Sequence, residues 1–331
     1  MSRQPATAVA HPNLALIKYW GKRDEQLVLP HTGSLSLTLD VFPTTTTVTP
    51  DPELSADAFT LNGVEQTGTS AARVTAFLDL VRRLAGSTAH ARVVSENSVP
   101  TGAGLASSAS GFAALARAAA AAYGLPEDAR TVSRLARRGS GSAARSVLGN
   151  LVIWHDGKGA EDPDAASFAE QVPGPQLGMV IAVVSARTKA VSSRTAMRET
   201  VATSPYFPGW VQSTAQDLRD MRAALAAGDV EAVGELTESS ALRMHAAIMG
   251  NRPPVRYLAP TSVALFDAVA ALRAEGLGAW ATADAGPNVA VLTRAEDGPT
   301  LRDRLAERFP DLRLISAQAG PGAHLLDRGR A

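Results

Sequence analysis

Two halves of mixed α and β structure, an α+β fold, are what this sequence predicts, and three observations carry that prediction. Strand-like and helix-like runs are intermingled without the strict alternation that a doubly wound parallel sheet requires. At 331 residues the chain exceeds one ordinary hydrophobic core, which leaves two domains or one large one. The stretch Val172-Pro173-Gly174-Pro175 is the best candidate linker near the middle. The expected division is therefore residues 1–175 and 176–326, with 327–331 as a tail.

The elements follow in order. Ser34 to Val41 (SLSLTLDV) alternates small polar with apolar residues and reads as a strand, and the β-branched run Thr44 to Thr49 reads as its neighbour. Val74, Phe77, Leu78, Val81 and Leu84 give Ser70 to Leu84 helical spacing. His90 to Ser95 is a short strand. Ser107 to Tyr123 is a long alanine-rich helix that Gly124 stops. Pro126 to Arg138 opens with Pro-Glu-Asp and places Val132 and Leu135 on one helical face. Gly149 to Trp154 and Met179 to Val184 read as strands. Ser213 to Ala227, Val230 to Met249 and Ser262 to Glu275 read as helices. Ala279 to Ala283 and Asn288 to Thr293 are strands around a Gly-Pro turn. Leu301 to Phe309 is a last helix and Leu312 to Ser316 a last strand. The tail from Ala317, rich in Gly and Ala, is expected to fray.

Composition narrows the function. Hydrophobic residues at 45% and charged residues at 19% are globular values. Lys plus Arg and Asp plus Glu both number 32, so no global charge draws the chain to nucleic acid or to an anionic membrane. Without cysteine there is no disulfide, iron–sulfur cluster or thiol nucleophile. No uninterrupted apolar run reaches the roughly 20 residues of a membrane helix. The N-terminal segment lacks a secretory layout, so a soluble, cytoplasmic protein is expected. Of the basic residues only four are lysines, and two of them, Lys18 and Lys22, fall within KYWGK. Either this is chance on a solvated surface, or a compact ammonium is needed there, as at many phosphate sites.

Four segments carry candidate chemistry. In Pro100 to Gly111 (PTGAGLASSASG), Gly102 and Gly104 precede Ser107 and Ser108 at the start of the long helix. Glycines let backbone approach an anion, and a helix N-terminus offers free N–H groups. The pattern is neither a Walker loop nor a dinucleotide fingerprint; a merely capped helix is the plainer reading. In Arg138 to Arg145 (RGSGSAAR), Ser140 and Ser142 alternate with glycines. A helix beginning near Ser142 would bring Arg145 onto the same face, to converge on one oxyanion; a flexible capped loop is the alternative. Asp284, in Asp-Ala-Gly-Pro-Asn between two apolar strands, is either a cleft carboxylate or a turn cap. Ser193-Arg194 lies in what otherwise reads as a solvated polar loop. The six histidines show no metal-ligand spacing, so no metal-binding residues are assigned.

Taken together, NLALIKYWGKRD, GSLSLTLD, PTGAGLASSASGFAALA, RRGSGSAARS, VSSRTAM, TVATSPYF and DAGPNV resemble the diphosphomevalonate decarboxylase family, in family order from about residue 13 to residue 289. That family belongs to the galactokinase, homoserine kinase, mevalonate kinase and phosphomevalonate kinase (GHMP) superfamily. IKYWGKRD and DAGPN are specific to the decarboxylase branch, whereas the glycine-serine loop marks only the superfamily. The resemblance implies a two-domain GHMP-kinase-like fold with its active site in the cleft between the halves. It also implies ATP and Mg2+ as cofactors, and conversion of (R)-5-diphosphomevalonate into isopentenyl diphosphate, ADP, phosphate and CO2. The 3-hydroxyl is phosphorylated, and phosphate then leaves as the neighbouring carboxylate departs as CO2.

By the same resemblance Asp284 is the catalytic aspartate, accepting or orienting the proton of the 3-hydroxyl. Arg145 holds the substrate carboxylate with its planar fork, and Lys18 steadies the aspartate and the transferred phosphoryl group. Tyr19, Lys22, Ser140, Ser142, Ser193 and Arg194 surround the substrate diphosphate, and Gly102, Gly104, Ser107 and Ser108 form the ATP phosphate loop. The partners implied are these small molecules, with a homodimer expected. The sequence departs from the family at Thr32-Gly33-Ser34, usually Asn-Ser-Ser, and at Ala144, often Cys. The rivals are a phosphomevalonate decarboxylase, a mevalonate 3-kinase, and a GHMP-fold binding protein without catalysis. Degraded phosphate loops or a missing aspartate would mark the last, and neither is present.

Overall fold

Every second side chain of strand Thr44–Asp51 (TTTTVTPD) is buried. In this computed structural model, which describes residues 4–98, 107–185 and 190–326, that buried face lies on helix Ser107–Tyr123. The alanines of the helix, among them Ala113, Ala116 and Ala120, are small enough to bring it close to the strands, and Thr44 Oγ1 meets Ser110 Oγ at 2.7 Å. Gly124 ends the helix at φ 72°, where a glycine carries no steric penalty.

Three main sheets organise the described residues. The first runs His324–Leu325, Ala6–Ala10, Thr44–Asp51, His90–Asn97, Ala58–Leu61, Val64–Glu65. The second runs Ala169–Gln171, Leu151–Trp154, Ser34–Thr38, Asn13–Ile17, and the third Ala279–Thr282, Val289–Arg294, Leu177–Val183, Arg313–Gln318. A small hairpin pairs Lys22–Asp24 with Leu29–Pro30. Pairing is antiparallel except where Ala58–Leu61 runs parallel to His90–Asn97. This is the α+β architecture of mixed sheets and helices expected from the intermingled pattern. The second and third sheets contribute to one core, in which Leu37 and Leu151 share a cluster with Met179, Ile181 and Leu292. Between them the segment around Gly174 packs down closely: a Cβ there would sit 2.5 Å from Leu151 Cδ1.

Several expectations change. Ser34–Thr38 and Thr44–Asp51 are not neighbours; they belong to different sheets. All five residues of the first are buried, as befits a central strand covered on both faces, while the second alternates. Helix Ala129–Gly139 begins after Pro126 because the Asp128 carboxylate caps it, accepting from the Thr131 N–H at 3.0 Å. The Ser192-Ser193-Arg194 loop is instead the start of helix Ser193–Thr203, capped by Ser192 Oγ.

Nor does the chain fray at Ala317. Strand Arg313–Gln318 continues into a bridge between Ala319 and Leu39, and His324–Leu325 joins the first sheet beside Ala6–Ala10. The glycines are there for close approach. A Cβ on Gly320 would stand 2.2 Å from the Leu39 carbonyl oxygen, and one on Gly322 would stand 2.7 Å from that of Val147. Among the described residues, no helix is long and apolar enough to cross a membrane.

Gly320→Ala therefore overpacks a backbone-on-backbone contact and is expected to destabilise the fold by about 1–3 kcal/mol. The urea midpoint of the variant against that of the parent measures it; an unchanged midpoint means that the tail contact yields freely.

Candidate active site

Strand Asn13–Ile17 is buried along its whole length and delivers Lys18 into the interior. The Lys18 side chain keeps only 1% of its surface exposed, and its Nζ donates to Asp284 Oδ1 at 2.7 Å and to the Ala15 carbonyl at 2.8 Å. Burial pushes the Lys18 ammonium below its usual range, and the Asp284 charge opposes that shift. Asp284 sits in the turn between Ala279–Thr282 and Val289–Arg294. Asn288 ties the far end of that turn down: its Oδ1 accepts the Val184 and Ser185 N–H groups at 2.8 and 3.0 Å.

Arg145 lies on the short helix Ala143–Ser146, whose N-cap is Ser142. Its guanidinium is buried among neutral oxygens. Nε donates to Ser36 Oγ at 2.9 Å and to Asn13 Oδ1 at 3.2 Å, Nη2 to Asn13 Oδ1 at 3.1 Å, and Nη1 to Ser34 Oγ. Asn13 is locked in turn by donating to the Ser142 carbonyl and to Ser146 Oγ. Burial pulls the guanidinium down to about 10, with the charge of Asp284 working against it. A buried cation held by neutral acceptors keeps its field for an arriving anion.

The glycines of RGSGS have separate jobs. A Cβ on Gly139 would overlap the Phe112 ring, at 2.0 Å, and one on Gly141 would stand 2.8 Å from the Tyr19 hydroxyl. The Tyr19 ring packs edge-on to Trp154 at 4.8 Å, and burial drives its phenol above the usual range. Ser140 caps the C-terminus of helix Ala129–Gly139 and brings its Oγ within 3.4 Å of Ser108 Oγ, joining two of the candidate segments. Ser107 opens helix Ser107–Tyr123; Gly102 and Gly104 lie outside the described residues. At the departure from the family pattern, Gly33 abuts Leu218 and the Trp154 carbonyl, so a side chain there would force a shift. Ser34 still reaches Arg145.

Every candidate residue with a described side chain borders one cavity of about 720 Å³, whose walls come from both halves of the chain. Four further arginines line it: Arg73, Arg83, Arg138 and Arg198. Among the described residues, its only carboxylates are Asp284 and Glu25. Glu25 already pairs with Lys22 Nζ at 2.8 Å and with Arg198 Nη2 at 3.3 Å. Arg73 stacks its guanidinium 4.9 Å over Phe112, and burial and the charge of Arg194 lower its affinity for a proton. A chain of zero net charge has thus gathered a strongly positive pocket. No motif signals Arg73 or Arg198, which sit singly on amphipathic helices. No group of three His, Asp or Glu able to hold a metal ion occurs among the described residues.

Comparison with known proteins agrees with this geometry. The model of the diphosphomevalonate decarboxylase-like N-terminal domain matches residues 10–169, and that of the mevalonate 5-diphosphate decarboxylase C-terminal domain matches residues 179–322. The diphosphomevalonate decarboxylase of Rattus norvegicus is 38% identical over 91% of this chain and 78% of its own length. A solved mevalonate diphosphate decarboxylase from Enterococcus faecalis, described by its mevalonate diphosphate-mediated ATP binding mechanism, superposes with a TM-score of 0.91 at 44% identity, covering 98% of this chain and 99% of that one. A structure described as MDDEF in complex with MVAPP, AMPPCP and magnesium gives 0.92 at 45% identity with the same coverage. Matched in both halves and over nearly its whole length, this chain belongs to the diphosphomevalonate decarboxylase family.

Proposed function

We infer that the chain is an ATP-dependent carboxy-lyase of isoprenoid biosynthesis. It converts (R)-5-diphosphomevalonate into isopentenyl diphosphate, with ADP, phosphate and CO2 released. The observation that carries this reading is the Lys18–Asp284 pair, 2.7 Å long, on the wall of the same cation-rich cavity that Arg145 borders. ATP with Mg2+ supplies the phosphoryl group that makes the tertiary hydroxyl a leaving group. The start of helix Ser107–Tyr123 and the Ser108–Ser140 contact suit the nucleotide phosphates. Phosphate oxygens would furnish most ligands of such a Mg2+, in keeping with a cavity whose carboxylates, among the described residues, are Asp284 and Glu25.

The roles of individual side chains follow as part of this proposal. Asp284 takes the proton of the 3-hydroxyl, and Lys18 holds that carboxylate ionised and in place. Arg145 grips the substrate carboxylate and orients it beside the departing phosphate until CO2 leaves. Tyr19, Lys22, Ser140, Ser142, Ser193 and Arg194 hold the diphosphate, with Arg73 strengthening the field at Arg194. We place the protein in the cytoplasm, where a chain without cysteine has no disulfide to lose.

Incubation with ATP, Mg2+ and each of mevalonate, its 5-phosphate and its 5-diphosphate, followed by CO2 and ADP release, tests the reading. CO2 should appear with the diphosphate; ADP without CO2 would make the protein a 3-kinase. Asp284→Ala should lose ~10²–10⁴-fold in turnover while ATP still binds; a variant retaining a tenth of the parent rate removes Asp284 from the chemistry. Arg145→Lys should lose most CO2 release, because an ammonium has no planar fork. Near-normal release in that variant would show that charge alone suffices. The diphosphate should be preferred over the monophosphate by on the order of 10²-fold in kcat/KM, since two charge-assisted contacts contribute about 1.5–3 kcal/mol each. Arg194→Ala should shrink that ratio, and an unchanged ratio strips Arg194 of its part.

A further inference from the structure

Helix Val230–Met249 touches both chain segments that carry the Lys18–Asp284 pair. Ser240 Oγ accepts the Lys18 backbone N–H at 3.0 Å. Five residues on, His245 is buried, with Nε2 3.3 Å from the carbonyl oxygen of Ala283, the residue before Asp284. A helix rises 1.5 Å per residue, so the two anchors stand about 7.5 Å apart along a rigid axis. The two anchored segments lie far apart in the chain, share apolar packing such as Trp20 with Ala285, and meet at the site through the ion pair.

We propose that His245 is a positioning residue: its Nε2–H, donated to the Ala283 carbonyl, fixes the pose in which Asp284 meets Lys18 and the substrate hydroxyl. The neighbourhood keeps the ring in the state this needs. Burial, and next the charge of Lys18, push the imidazole down to about 4, so it is neutral near pH 7 and has one proton to place. The carbonyl in front of Nε2 selects the tautomer. Downstream, the Asp284 turn closes on itself through Gly286 N–H to the Asp284 carbonyl at 2.7 Å, and Asn288 holds the far end. At the near end His245 reaches the Ala283 carbonyl, and Glu238 holds the Ala281 N–H two residues before it. A carboxylate displaced by even 1 Å loses much of its advantage as a base, whereas the binding of substrate and nucleotide elsewhere in the cavity is untouched.

The proposal rests on Asp284 as the base, and the test separates the two. His245→Phe keeps the buried bulk and removes the donor. His245→Gln restores an N–H at nearly the reach of Nε2. Steady-state kinetics on the full chain should show His245→Phe losing about 10-fold or more in kcat, with KM for ATP and for 5-diphosphomevalonate within about twofold. His245→Gln should recover most of that loss. If the Phe variant fails to fold, His245→Asn, whose amide falls short of the carbonyl, takes its place with the same expectation. A purely structural role would lower the melting temperature with kcat intact, or cut Phe and Gln variants equally, and either result overturns the proposal. Asp284→Ala is run alongside. An active Asp284→Ala overturns the base assignment and this proposal with it, while an inert one beside an undiminished His245→Phe overturns the positioning role alone.

Discussion

An ammonium that keeps 1% of its surface exposed is tolerable in a protein only with a carboxylate beside it. Lys18 and Asp284 supply each other with that condition across 266 residues of sequence. Bringing them together demands that strand Asn13–Ile17 and the turn after Ala279–Thr282 meet, and much of the architecture serves that meeting. The second and third sheets share one core, and helix Val230–Met249 crosses both segments. The ion pair is costly by itself; its value lies in holding a charged carboxylate, partly exposed, at the wall of a cavity.

Around that pair the protein spends its cations unevenly. Arg145 faces neutral hydroxyls and Asn13, whereas Lys22 is already engaged by Glu25, which Arg198 pairs as well. The first arrangement leaves a guanidinium with no carboxylate in direct contact, only the more distant charge of Asp284. In the second, any incoming anion would have to outcompete a carboxylate that is part of the chain. Two cations lining one cavity thus differ in how far they are already neutralised, and the difference comes from which oxygens each was given during folding.

Much of this was legible in the sequence. Alanine spacing with a following glycine marked helix Ser107–Tyr123, and Val230–Met249 was equally plain, because helical periodicity and stop signals are local. The candidate residues were recognisable from short motifs, and those with described side chains do border one cavity. What the sequence hid was long-range. Which strand pairs with which was misjudged at Thr44, since adjacency along the chain says little once a turn carries it to another sheet. Ser193 looked like loop because serines mark caps as readily as loops. Arg73 and His245 sit singly on helices, and only the folded structure reveals what each one faces.

The tail described above has a consequence for how the protein is made. Strand Ala6–Ala10 is synthesised long before His324–Leu325, the segment that, among the described residues, covers its outer edge. While the residues between them are being made, therefore, that edge of backbone donors and acceptors stands open on the nascent chain, a template for pairing with any passing strand. Emergence of His324–Leu325, not of the first half, is the moment at which this edge is closed.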